Sequence, residues 1–164
     1  MEEGSELRKR VVGGSGGGDA ALLRGLLFVL VIVGAIGLIV ELLFLEHTES
    51  AWQWLPLVLL VLTVVTGTAV AVRPGPGTFR VFRWVMVACV GAGVLGLYLH
   101  YRGNVEWELE SDPALGGLRL AWTALHGATP TLAPAALAQL GLLGLLFTFR
   151  HPARDRRGAT QTET

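Results

Sequence analysis

Charge is scarce in this 164-residue chain. Only 16% of residues are Asp, Glu, Lys or Arg, against roughly 25% in a soluble domain. That leaves too little polar surface to cover a water-facing globule. Cysteine is almost absent: Cys89 stands alone, so an internal disulfide is impossible and a cysteine-based zinc site is implausible. Catalytic signatures are missing too, with no His-Glu-x-x-His and no serine-centred elbow. The glycine run Gly13-Gly14-Ser15-Gly16-Gly17-Gly18 is not a phosphate loop, because no Gly-Lys-Ser/Thr follows it and no strand precedes it. What the chain has in excess is apolar: 52% hydrophobic residues and 22 glycines. That excess excludes disorder across most of its length.

The apolar residues fall into four runs, at 25–45, 54–72, 81–101 and 132–149, of 21, 19, 21 and 18 residues. A bilayer core of about 30 Å needs roughly 20 residues of α-helix. In lipid every backbone N–H and C=O must be paired internally, which leaves helices as the reading. Pro134 in the fourth run falls in a first helical turn, where a missing N–H costs little. The first run is too long for a signal-peptide core and no small-residue cleavage site follows it, so an uncleaved first helix fits better. The predicted fold is an all-α integral membrane protein. It is a four-transmembrane-helix up-down-up-down bundle with a structured extracytoplasmic loop between helices 3 and 4.

The zero net charge conceals a separation. Eleven of the thirteen basic residues lie before the first run, near the loop 73–80, or after the fourth run. Arg102 and Arg119 are the exceptions, and Glu46, Glu49, Glu106, Glu108, Glu110 and Asp112 share their side. The positive-inside rule then puts both termini in the cytoplasm of a plasma membrane of the bacterial inner-membrane type. Inner segments sum to +5 and outer segments, with Glu41, to −5.

Residues 1–19 and 152–164 read as flexible cytoplasmic tails, flanking a transmembrane domain at 20–151. The outer loop, 102–131, is the one sizeable soluble piece. Its stretch Val105-Glu106-Trp107-Glu108-Leu109-Glu110 alternates apolar and acidic residues, the period of a half-buried strand; a helical extension of the third run is the alternative. Leu118 to Leu125 resembles a short interfacial helix anchored by Trp122.

Small residues at helical spacing mark packing faces, because lipid gives helices no hydrophobic reason to associate. The third run has Ala88, Ala92, Gly96 and His100; the second has Thr63, Gly67 and Ala71. The first has Gly34 and Gly37, the fourth Gly141 and Gly144. Gly67, Ala92 and Gly96 are the packing positions expected to matter most. Glu41 lies inside the outer end of the first run, where a carboxylate normally pairs or faces the bundle interior. His100 lies at similar depth, so Glu41 and His100 form a candidate polar or proton-relay pair. His47, His100 and Glu106 are candidate metal ligands by residue type alone. Trp107, Glu108, Glu110 and Trp122 are candidate docking residues for a partner.

Nucleic-acid binding is unsupported, since topology accounts for the basic residues. No cofactor is required by the sequence. The expected function is a small non-catalytic subunit or assembly protein, in contact with lipid and with other membrane subunits or copies of itself. A small oligomeric transporter or channel using Glu41 and His100, or a redox or metal-binding protein using the outer His/Glu cluster, remain open as alternatives.

Overall fold

In a computed structural model, residues 3–46, 50–127, 132–149 and 151 are described, with side chains from residue 18 onward. Every regular element among them is an α-helix. These are α1 (Glu3–Phe44), α2 (Ala51–Val72), α3 (Pro76–Ser111), α4 (Gly117–Leu125) and α5 (Ala135–Thr148). Three helical stretches are long and apolar enough to cross a membrane: Gly18–Phe44, Ala51–Val72 and Pro76–Ser111.

The helix starts follow from local chemistry. At the head of α2, the Ser50 N–H donates to Gln53 Oε1 at 2.9 Å, one half of a capping box. Between α2 and α3, Pro76 sits in the first turn of the new helix, where its missing N–H is no loss. The Thr78 hydroxyl accepts from the Gly75 N–H at 3.1 Å and donates to the Gly75 carbonyl at 2.9 Å. After α3, Asp112 Oδ1 accepts from the Ala114 N–H at 3.1 Å, beside Pro113, a side-chain turn that stops the helix. The chain restarts at Gly117, whose φ of +60° suits a residue without Cβ.

Three sequence expectations change. First, α1 begins at Glu3, so the stretch read as a flexible tail is helical up to residue 19. Second, residues 105–110 are helix and not strand, continuous with α3. Arg102 Nε meets Glu106 Oε1 at 2.8 Å, and Ser111 Oγ donates to the Trp107 carbonyl at 3.1 Å, both at four-residue spacing. The buried side is Tyr101, Asn104, Val105 and Glu108, a helical period and not a two-residue one. A helix already running has no nucleation cost, and six alternating residues with no partner strand cannot compete with it. Third, α5 covers only 14 residues, or about 21 Å, against the 18-residue run expected; Leu132, Ala133 and Pro134 form a turn before it.

The helices close into a ring in which α1 packs on α2, α2 on α3, α3 on α5 and α5 on α1, with the α3–α5 interface the most extensive. α1 and α3 are therefore diagonal. α3 and α5 run antiparallel: Gly96 faces Pro134, Gly93 faces Ala138, Gly141 faces Met86 and Val90, and Gly144 faces Met86 and Phe82. α2 opposes α3 in the same sense, with Thr63 beside Cys89 and Gly67 beside Phe82. α1 opposes α5, with Phe28 on Phe147 and Gly34 on Leu140.

The core carries the stripe Phe79, Phe82, Met86, Cys89 from α3, against Leu60 and Val70 of α2, Val31 and Ala35 of α1, and Leu140 and Phe147 of α5. Phe147 is its hub, its ring 5.0 Å from Phe28 and 6.0 Å from both Phe79 and Phe82. Outside this core the helices are apolar and bare. Only 11% of the most apolar window of α1 and 39% of that of α2 is buried. Val29, Val33, Val65, Val81, Trp84 and Leu142 are all exposed. A surface of this kind is stable in lipid and not in water.

Candidate functional site

The antiparallel α3–α5 pair defines two ends of the molecule. One carries Arg24, Arg73, Arg80 and Arg83. The other carries Glu41, Glu106, Glu108, Glu110 and Asp112.

At the acidic end α3 outruns the bundle. α5 starts level with Gly96, and α3 continues to Ser111, about 22 Å further. α4 packs on this projecting part. Asn104, buried on α3, holds it: its Nδ2 donates to the Ala124 carbonyl at 2.9 Å, and its side chain fills the space beside Gly127. Ala124 is fully buried against α3, whereas Leu118, Trp122 and Leu125 are exposed. At 100° per residue these three share one face of α4. The Trp122 ring lies 4.5 Å from that of His126. On α3, Trp107 and Glu110 are exposed and Glu108 is half-buried. All four docking candidates therefore stand on the part of the molecule beyond α5.

The other candidate residues are distributed differently. Glu41 is exposed on α1, and His100 is half-buried on α3, the helix diagonal to it. Glu106 is exposed and paired with Arg102. His100 and Glu106 are six residues apart on one straight helix, which puts them about 120° apart around the axis. His47 lies outside the described residues. Among the described residues no group of three His, Cys, Asp or Glu side chains is placed to hold a metal ion.

Of the packing positions, Gly67 is buried, and a Cβ there would come 2.5 Å from Ile32 Cδ1. Ala92 is half-buried against the core. Gly96 faces Pro134, where a Cβ would sit 2.7 Å from its Cβ. The tightest backbone approaches are at Gly93 and Gly141, where a Cβ would come 2.6 Å from the Ala138 nitrogen and the Met86 carbonyl oxygen respectively. The strict four-residue ladder Ala88-Ala92-Gly96-His100 turns about 40° around the helix at each step. Its first member, Ala88, accordingly faces outward. The stripe that does pack alternates three and four residues: Phe79, Phe82, Met86, Cys89, Gly93, Gly96.

The basic end holds a feature that no sequence motif announced. A cleft of about 480 Å³ opens among the helices there, lined by Arg24 and Phe28 of α1, Val70 of α2, Phe79 of α3, Phe147 of α5 and His151. The His151 ring lies 4.4 Å from Phe79 and 5.4 Å from Phe147. Burial, then the nearby Arg24 charge, pushes its pKa below the ordinary histidine value. Arg24 and His151 lie at opposite ends of the chain, and nothing in sequence joins positions so far apart.

The described chain is thus a helical membrane protein without a metal cluster and without a catalytic motif. Comparison with known proteins finds no matching family model, no matching curated protein and no matching solved structure.

Proposed function

We propose that this chain is a non-catalytic subunit of a larger membrane complex, offering the projecting end of α3, with α4, to a second membrane protein. In this reading α1, α2, α3 and α5 each cross the bilayer, up-down-up-down, and both termini are cytoplasmic. The alternating directions of packed neighbours support four crossings. Leu132 and Phe149, both exposed, extend the apolar stretch around α5 to the length of the sequence run. The basic end is then the inner one, and the acidic projection is extracytoplasmic in a bacterial inner membrane.

The observation that carries the reading is the combination on this projection: Trp107 and Trp122 are 60% and 67% exposed, and the same stretch of α3 that carries Trp107 exposes Glu106 and Glu110. Large aromatic side chains left open next to charge are the composition of a hot-spot surface. The rest of the molecule supplies lipid-facing walls and a dense core, with no polar stripe along the three apolar spans or α5 among the described side chains.

The test is purification of the full chain from its native membrane in a mild detergent, followed by mass measurement of the intact particle. A stoichiometric hetero-complex is expected. Trp107→Glu with Trp122→Glu should release the partner and leave the chain monodisperse with an unchanged melting temperature. A particle containing only copies of this chain would overturn the proposal, as would a complex indifferent to both substitutions.

A further inference from the structure

The cleft at the basic end combines three properties. Its walls are aliphatic and aromatic: Ala21, Phe28, Val70, Phe79 and Phe147. Among the described residues that line it, Arg24 is the one permanently charged side chain and none is acidic. It lies among helices whose outer faces are predominantly apolar, at the end where their apolar spans stop and the arginines begin. A protein ligand for an arginine would be a carboxylate, and none of the described lining residues supplies one. Holding a half-buried cation among apolar walls without a counter-charge is unfavourable, so the cleft is complementary to a molecule with an apolar body and an anionic head. In a bilayer the abundant molecule of that description is an anionic phospholipid.

We propose that the cleft between the basic ends of α1, α2, α3 and α5 is a binding site for one anionic phospholipid. Arg24 engages the phosphate, in the geometry that makes arginine a strong phosphate ligand. The first part of an acyl chain lies against Phe28, Val70 and Phe147. A cavity of about 480 Å³ holds a headgroup and the start of a chain, not a whole lipid, so the remaining acyl length runs out along the exposed valines and leucines of α1. His151 lines the same cleft, its ring against Phe79 and Phe147.

The experiment uses the full-length protein in nanodiscs of equimolar phosphatidylglycerol and phosphatidylcholine, released and weighed by native mass spectrometry. Retention of one phosphatidylglycerol over phosphatidylcholine by about fivefold is expected, the preference that a single cation near an anionic headgroup confers. Arg24→Gln should abolish the preference and Arg24→Lys should keep most of it. Arg83→Gln removes a charge at the same end but outside the cleft, and should change nothing. Ala71→Phe, at an exposed lining position, should reduce retention of both lipids without disturbing folding. Equal retention of the two lipids by the parent protein overturns the proposal. So does an Arg24→Gln variant that behaves like the parent, or a preference lost equally with Arg83→Gln. Lipid appearing only after removal of residues 152–164 would assign the cleft to that tail, and would overturn it as well.

Discussion

At the scale of single residues, the molecule depends on what is missing from certain side chains. Gly93 lets the α3 backbone touch that of α5 at Ala138, and Gly141 does the same at the Met86 carbonyl. In lipid such close approach is a main source of helix association. Gly93→Val should therefore destabilise the bundle by about 1–3 kcal/mol. Gly91→Ala, two residues away with open space around it, should leave the midpoint of unfolding in a denaturing detergent unchanged. Equal midpoints for both variants would contradict this packing. His151 gives a second prediction. Its pKa is lowered by burial and by Arg24, while Phe79 and Phe147 face it without charge. The unfolded chain then binds more protons than the folded one as acid is added. Stability from this group is complete above the unfolded pKa, near 6.5, and declines as pH falls through the lower folded value. The melting temperature should drop between about pH 7.5 and 5.5, with a shallower drop in His151→Gln. An identical slope in that variant would show that other groups set the pH response. Gly67 and Gly96 stand out in the sequence because small residues are conspicuous within apolar runs. Gly93 does not, because an equal-interval ladder is easier to see than one alternating three and four.

At the scale of elements, apolar runs predicted the helices well and their ends poorly. The second run began only three residues inside α2, since both are bounded by the same polar loop. The third missed its final turns, because charge was read as the end of a helix when it was only the end of the apolar part. Glu106, Glu108 and Glu110 are as acceptable on a helix in water as on a strand, and periodicity over six residues does not separate the two. Asn104 decides it, by tying α3 to α4 through the Ala124 carbonyl, a contact across twenty residues of chain that no local pattern encodes. α4 should then depend on the helical state of this projection. Glu106→Pro, costing about 3 kcal/mol within a helix, should raise amide exchange across Gly117–Leu125. The core positions of α2 and α5 should keep their protection. Unchanged exchange in α4 would mean that something other than α3 holds it.

At the scale of the whole molecule, the two ends differ in charge, and that difference is open to direct measurement. With cytoplasmic termini, Glu110→Cys should react with a membrane-impermeant maleimide on intact cells. Gly77→Cys, in open space on the other end, should react only after permeabilisation. Cys89 is fully buried and stays silent in both. Labelling of both sites from one side would break the four-crossing arrangement. The charge segregation was legible from composition along the chain; the cleft and the projection were not, because both arise from how far neighbouring helices overlap. That overlap has a further effect on the surroundings. The α5 helix is about 21 Å long, and its apolar stretch with the flanking residues Leu132 and Phe149 no more than about 27 Å, against a hydrocarbon layer of about 30 Å, while α3 at its side is about 54 Å. In the four-crossing arrangement proposed above, lipids next to α5 shorten or tilt to match it, and those along α1 and α2 need not. The protein then deforms its annulus on one flank, and a thicker membrane strains the α3–α5 seam first. Bilayer thickness becomes a variable that acts on this fold through its shortest helix, and the chain should partition toward thinner membrane.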